Sequence, residues 1–436
     1  MPPIRIAMVG AGFAADFHVE AYRQVKGLDC QVVAVTSARA ESREAFARKH
    51  GIPGVYASLE ELLECAEVEV VDVCAPTNVH GPAAVLAARA GKHVIVEKPL
   101  TGYTQELWDG TLTPGPSPNA LLRSAGRGEQ GIGAEDVPPS PPGRGAGGEG
   151  PPLIGNFVER GVMLDAVMAQ CDEIERALAA AGVKLCYAEN WVYAPSVQKA
   201  RRLIQSGGGT VLRLLAEESH SGSHAAYAKY WALAGGGSLL RTGSHPIGGV
   251  CYLKQAEGLA RDGRPIRPRS VVAETACLTK MASYLAEPMR YCGTELADCE
   301  DWGAAYITFE DGSVADVCSS DVVLGGVYNH MQVFLSNGRI ECHMNPMDAV
   351  MAYAPAEDSF GDEYLAEKIS TRQGWNYASP DEAWASGYPQ EIQDFMEAIA
   401  ADREPLSGWT LARDVTAVIF AAYVSAWEGR RVEVPR

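Results

Sequence analysis

Lys98 is the residue whose type and setting could do chemistry. It stands in Glu97-Lys98-Pro99, closing the apolar run His93-Val94-Ile95-Val96. Open α/β sheets bind ligands at the carboxyl ends of their strands. Pro99 would fix the following turn, so the ammonium would project from a rigid element. A second cluster lies far along the chain, Gly235-Gly236-Gly237-Ser238-Leu239-Leu240-Arg241-Thr242-Gly243-Ser244-His245. Its three glycines would let backbone press against a ligand. The run after them reads as a helix start with Arg241 and His245 on one face, four apart. A histidine so placed could move the proton that accompanies hydride transfer, and Arg241 could clamp an anionic group.

The hydride partner is suggested by Gly10-Ala11-Gly12-Phe13-Ala14-Ala15, which fits G-x-G-x-x-A between a strand pattern and a helix pattern. Gly10 would allow the tight turn, Gly12 the approach of a pyrophosphate, and Ala15 close helix packing. The helix start at Phe13 and Ala14 would offer unpaired N–H groups to phosphate. The second strand ends Val35-Thr36-Ser37-Ala38-Arg39, with no carboxylate until Glu41. Ser37 and Arg39 suit a 2′-phosphate better than a 2′-hydroxyl, favouring NADP over NAD. Pro76-Thr77-Asn78-Val79-His80 follows the third strand at the same edge. Asn78 reads as an N-cap within reach of the nicotinamide ribose. His80 reads equally as a packed residue or a ligand.

These groups need a scaffold, and the first hundred residues supply a βαβ rhythm. Strands are expected at Ile4–Val9, Cys30–Thr36, Val68–Cys74 and His93–Glu97, with helices at Ala15–Val25, Ala40–His50 and Val79–Ala90. Apolar strands alternating with helices imply a doubly wound parallel sheet of Rossmann type. Residues 1–108 are therefore assigned to a dinucleotide-binding domain. From 109 to 155 there are 12 Gly and 9 Pro and no aromatic residue. That composition reads as a disordered insertion. Asn156-Phe157-Val158-Glu159 has capping-box spacing, and a helix to Ala181 plus a strand at Val183–Glu189 completes the first domain over 156–185. Residues 186–436 become an α+β domain with a large, mostly antiparallel open sheet. Its turns include Glu310-Asp311-Gly312 and Ser336-Asn337-Gly338, the second with strong hairpin chemistry. Helices near 389–401 and 411–427 close the chain.

The net charge of −18 argues against nucleic acid or an anionic membrane as partner. Eleven cysteines without a C-x-x-C pair read as reduced, mostly buried thiols, which favours a cytoplasmic location. No set of metal ligands is expected. No signal peptide is visible ahead of Ile4, and the apolar stretch Thr416–Trp427 is too short to span a membrane.

With these motifs assembled, the sequence resembles the glucose–fructose oxidoreductase / inositol dehydrogenase / MocA family. The resemblance rests on Gly10-Ala11-Gly12-Phe13, Ala75-Pro76-Thr77-Asn78-Val79-His80, Val96-Glu97-Lys98-Pro99-Leu100 and the glycine-rich run ending at His245. It implies an NAD(P)-dependent dehydrogenase or reductase that oxidises a hydroxyl of a sugar, cyclitol or sugar acid. Lys98 and His245 would flank the substrate, and the segments holding Pro76, Thr77 and Glu97 would flank the cofactor. It also implies a homodimer or homotetramer assembled through the C-terminal sheet. The family commonly has Asp where this chain has Arg241. Asn190 and Tyr193 would be substrate contacts by position. Two other outcomes fit the same motifs: a cofactor-recycling glycosidase or lyase, and a non-catalytic nucleotide sensor.

Overall fold

The computed structural model describes residues 2–108, 151–223, 225–292, 295–345, 350–369 and 371–436. Six strands, β1 Ile4–Val9, β2 Cys30–Thr36, β3 Gly54–Tyr56, β4 Val70–Val73, β5 His93–Glu97 and β6 Leu185–Ala188, form an all-parallel sheet ordered 3-2-1-4-5-6. Ile6–Val9, Val70–Val73 and Val94–Val96 are fully buried, as strands covered on both faces must be. Helices α1 Phe13–Tyr22, α2 Ala40–His50, α3 Leu59–Cys65, α4 Thr77–Arg89 and α5 Arg160–Ala181 alternate with or flank these strands. Gly51 and Gly182 end α2 and α5 as left-handed caps. Ser58 Oγ accepts from the Glu61 amide at 3.0 Å and so caps α3.

The expected capping box at Asn156 does not form. Residues Ile154–Asn156 make a short 3₁₀ turn, and α5 starts later, after Glu159, without a side-chain cap. Most of the Gly/Pro-rich stretch lies outside the described residues. Its last part, 151–155, is built into the fold, contrary to expectation. Ile154 is fully buried, and the Gly155 amide donates to Asp298 at 2.8 Å. The reason is local: the apolar Leu153-Ile154 pair ends the stretch, and Ile154 joins the hydrophobic core.

The second region is built on seven strands: β7 Val211–Ser219, β8 Pro268–Ala276, β9 Trp302–Phe309, β10 Val314–Ser320, β11 Tyr328–Leu335, β12 Gly338–Asn345 and, after the hairpin β13 Met351–Ala354 / β14 Gly374–Tyr377, β15 Val432–Glu433. The order is β12-β11-β7-β10-β9-β8-β15, antiparallel except for β7 with β10. One face is covered by two long helices, α7 Ser244–Asp262 and α9 Trp409–Glu428, both largely buried. Between them in the sequence lies α8, Tyr388–Ala400, and before them α6, Pro195–Gly207. The other face of the sheet is open. The sequence pattern missed α6, β3 and the β13–β14 hairpin.

All eleven cysteines are free thiols, six of them buried. Among the described residues no helix is long and apolar enough to cross a membrane.

Candidate active site

Because the first sheet is parallel, the carboxyl ends of β1, β4, β5 and β6 deliver Gly10, Cys74, Lys98 and Glu189 to one edge. Gly10 has φ +117°, and a Cβ there would lie 2.1 Å from the Cys74 carbonyl oxygen. Only glycine makes this turn. Gly12 caps α1 with no side-chain hydrogen bond, and a Cβ on it would meet nothing within 4 Å. The space beside Gly12 and the uncapped N–H groups of Phe13 and Ala14 fit a dinucleotide pyrophosphate. Phe13 is 68% exposed above the turn, edge-on to Phe17. Ser37 follows β2 and Arg39 is the N-cap residue of α2; Arg43 joins them, its guanidinium donating to the Ser37 carbonyl at 3.1 Å.

At the end of β4 the arrangement differs from the sequence reading. The N-cap of α4 is Pro76, with Thr77 and Asn78 already inside the helix. Asn78 Nδ2 donates to Glu106 at 3.1 Å. Both ring nitrogens of His80 face carbonyl oxygens, Pro99 and Ala75, each at 2.7 Å. His80 thus braces the β4 loop to the turn after Lys98. Burial holds its pKa below the ordinary range.

Glu97 lies under this edge. Its carboxylate accepts the Lys98 amide at 2.9 Å and faces His18 Nε2 at 3.2 Å. The other His18 nitrogen lies 2.8 Å from Asp72, which also accepts the Tyr22 hydroxyl. Burial alone would lower the His18 pKa, but the Asp72 carboxylate beside it raises it well above normal. Burial would likewise raise Glu97, and the bond from His18 holds it low. A buried imidazolium therefore bridges two carboxylates beneath Lys98. Cys74 Sγ, 3.4 Å from His18 and 3.3 Å from Asp72, completes the group.

The Lys98 ammonium donates to the Arg241 carbonyl at 3.1 Å, so the first domain's lysine reaches the second domain's glycine-rich segment. That segment is not the single helix expected. Arg241 ends a four-residue helix, Ser238–Arg241, and His245 lies in the first turn of α7. The two side chains diverge accordingly. Arg241 is held by a short ion pair to the buried Asp321, so its charge is neutralised inside the protein rather than left to clamp an anion. Nor do the glycines face a ligand. Gly235 meets Gly102 backbone to backbone, Gly236 packs on Leu240 and Tyr423, and Gly237 abuts Glu300. The run docks one domain on the other.

His245 Nδ1 is 2.6 Å from Glu189 Oε1, and its ring stacks on Trp191 at 5.9 Å. Gly248, one turn further along α7, leaves room for the Glu189 side chain, which a Cβ would strike at 2.7 Å. Burial drives the two pKa values apart, Glu189 well above the carboxylate range and His245 down to about 4. Both shifts favour the uncharged form of each partner. His245 Nε2 faces Glu218 Oε2 at 3.8 Å. His220 Nδ1 similarly stands 3.8 Å from Asp321 Oδ1, and burial lowers its pKa to about 4. The Lys98 charge acts on His245, Glu189, Glu218, His220 and Glu367 alike, which places all five around it. Lys368, in a left-handed backbone conformation, donates to the Gly222 carbonyl at 3.1 Å on the same side.

Four buried atoms in this cluster have no hydrogen-bond partner: Glu189 Oε2, Glu218 Oε2, Asp321 Oδ1 and Arg241 Nε. Such atoms are costly unless something polar meets them. The 3.8 Å gap between His245 Nε2 and Glu218 Oε2 is too long for a direct bond and short enough for one hydroxyl to touch both sides, whereas His220 Nδ1 already accepts the Gly222 amide at 3.0 Å.

Asn190 and Tyr193 sit in the turn behind Glu189 with their polar atoms engaged. Asn190 donates to the Ser386 carbonyl at 2.8 Å; the Tyr193 hydroxyl donates to Asp394 at 2.8 Å and accepts the Ser407 amide at 3.0 Å. Sequence reasoning missed Glu189, Glu218, His220 and Asp321. Glu189 was findable, because it ends β6 at the same sheet edge as Lys98. Glu218, His220 and Asp321 come together only through the pairing of β7 with β10.

The six-stranded sheet and its glycine turn define a dinucleotide-binding fold of Rossmann type. Residues 4–109 match the GFO_IDH_MocA family, described as an oxidoreductase family with an NAD-binding Rossmann fold. The match covers the dinucleotide-binding domain, which holds the glycine turn and the Glu97-Lys98-Pro99 motif. It is similar to the D-glucoside 3-dehydrogenase of Escherichia coli (strain K12), 35% identical over 97 residues, 22% of this chain and 27% of that protein. It is also similar to the scyllo-inositol 2-dehydrogenase (NADP(+)) of Bacillus subtilis (strain 168), 33% identical over 103 residues, 24% of this chain and 31% of that protein. The matches thus span roughly three tenths of these curated relatives. Over essentially the whole length, the fold is that of GenD2 from gentamicin A biosynthesis, solved in complex with NAD. The TM-score is 0.71 at 22% identity, covering 100% of this chain and 97% of that one. The myo-inositol 2-dehydrogenase of Lactobacillus plantarum shares it at TM-score 0.67 and 17% identity, covering 99% and 100%.

Proposed function

We propose that this chain is an NAD(P)-dependent dehydrogenase acting on a secondary hydroxyl of a sugar, cyclitol or sugar acid. The observation that carries the reading is the convergence of Lys98, the His245–Glu189 pair and four unpartnered buried polar atoms at the edge that also holds the glycine turn. A polyhydroxylated ring supplies hydroxyls at several spacings, which such a cluster needs. The nicotinamide cofactor, when bound, accepts the hydride. Gly10, Gly12, Phe13 and Ala14 would hold its pyrophosphate, Ser37 and Arg39 its adenine ribose, and Pro76, Thr77, Asn78 and Lys98 would border its nicotinamide end.

Lys98 and His245 divide the proton work. Lys98 takes the proton of the reacting hydroxyl, its stem fixed by β5 and its head by the Arg241 carbonyl. His245 orients the hydroxyl through Nε2 and passes the proton on, with Glu189 fixing which ring nitrogen carries hydrogen. Glu218 and Asp321 select neighbouring hydroxyls. Asn190 and Tyr193 serve here as struts for Glu189 and Trp191. Arg39 and Arg43, with no carboxylate at the end of β2, support NADP as the preferred cofactor. Half-exposed apolar residues on the open sheet face, Tyr306, Val314 and Tyr328 among them, support a homodimer or homotetramer through that face, to be tested by light scattering.

The deciding experiment is reduction of NAD⁺ or NADP⁺ by the purified protein across a panel of sugars, cyclitols and sugar acids. Steady nicotinamide reduction with one class and a higher kcat/KM for NADP⁺, lost selectively in Arg39→Ala, is expected. Cofactor binding with no turnover on any panel member would overturn the dehydrogenase reading.

A further inference from the structure

A second set of ligand-type side chains stands on the open face of the second sheet, away from the catalytic cluster. His330 on β11 and His343 on β12 are direct partners across an antiparallel pair. Alternation turns Asn329, Met331, Cys342 and Met344 inward and leaves the two imidazoles outside. Their ring centroids are 5.2 Å apart. Glu341 shares this face two residues before His343. Its Oε1 accepts Gln332 at 3.4 Å and a short bond from Arg339, while its Oε2 lies 3.9 Å from His343 Nε2. One ligand atom from each of the three residues falls within 4.8 Å of the others. Glu217 on β7 is the partner of His330 on the opposite side, extending the row.

We infer that His330, Glu341 and His343 form a binding site for a divalent transition-metal ion, zinc above all. Two imidazoles and one carboxylate are a borderline-soft donor set that suits zinc and disfavours magnesium or calcium. Zinc bonds these atoms at about 2.0–2.2 Å, which puts tetrahedral ligands about 3.3 Å apart. Partly exposed side chains can close that difference by small rotations about χ1 and χ2, without moving either strand. Glu217 and Glu341 outweigh Arg339 in local charge. The other group of this kind among the described residues, His18, Asp72 and Cys74, differs in the decisive respect. It is wholly buried, and its donor atoms are bonded to one another and to Tyr22.

The test is calorimetric titration of the chelator-treated full-length protein with zinc chloride alone. Wild type is expected to take up one strongly bound equivalent. His330→Gln and His343→Gln should each weaken it by about tenfold or more, with unfolding temperatures in the absence of zinc unchanged. Cys74→Ser should retain the equivalent, separating this site from the buried cluster. Equal zinc affinity in wild type and either histidine variant, or no binding below millimolar zinc, would overturn the assignment. Cofactor turnover plays no part in the readout, so the result stands apart from the dehydrogenase reading.

Discussion

At the scale of single residues, the proposed chemistry rests on two proton-bearing groups, Lys98 and His245. Lys98→Ala removes the base while leaving the glycine turn intact. Turnover should fall on the order of 10²- to 10⁴-fold, with the cofactor dissociation constant within about twofold of wild type by fluorescence titration. Glu189→Gln probes the partner of His245. Glutamine fills the same room beside Gly248 but cannot take up or release a proton, so kcat should fall by about 10- to 100-fold with little change in KM. An unchanged kcat would show that Glu189 only packs. Lys98 and His245 were legible in the sequence because a lysine after an apolar strand and a histidine after a glycine run are unusual. The carboxylates were not, since a glutamate in an alternating strand looks like any solvent-facing residue until the sheet pairing is known.

At the scale of elements, the glycine-rich segment reverses its expected purpose. Its conformational freedom is spent on contact between domains, most closely where Gly235 and Gly102 lie against each other with the Tyr103 amide donating to the Gly235 carbonyl at 3.1 Å. A Cβ on Gly102 would sit 2.8 Å from the Gly235 Cα, and backbone cannot rotate away. Gly102→Ala should therefore cost about 1–3 kcal/mol in urea unfolding and raise KM, because Lys98 and Arg241 would be pushed apart. If stability and KM both stay at wild-type values, the domains are not coupled through this contact. The parallel sheet was readable element by element, since each strand and cap is local. The split between the Ser238–Arg241 helix and α7 was not. Helical spacing through Thr242-Gly243 continues in the sequence.

At the scale of the whole molecule, buried ionisable groups impose opposing pH slopes on stability. His220 and His245 have pKa values lowered from 6.5 to about 4. Their contribution is complete above pH 6.5 and is lost as pH falls toward 4, because the unfolded chain takes up protons that the native state refuses. Glu300 acts in the other direction. It is fully buried against the glycine segment, accepts the Leu239 amide at 2.9 Å and the Tyr423 hydroxyl at 2.8 Å, and is raised by burial from 4.5 to about 7. Its contribution is complete below pH 4.5 and disappears as pH rises through 7, since the unfolded carboxyl ionises first. At about 1.4 kcal/mol per pKa unit, the loss between pH 4.5 and 8 amounts to about 3 kcal/mol. Glu300→Gln keeps the shape and the acceptor oxygen but has no proton to lose. The variant's unfolding free energy relative to wild type should therefore climb by about 3 kcal/mol from pH 5 to pH 8. All other titrations cancel in that difference, so a flat profile would mean that Glu300 is ionised in the folded protein throughout. The consequence is functional as well. The segment that Glu300 supports carries Arg241 and leads into His245, so alkaline loosening of that support should reach the active site before the rest of the fold. Hydrogen exchange at the amides of residues 237–245 should accelerate above pH 7 in wild type and not in the variant.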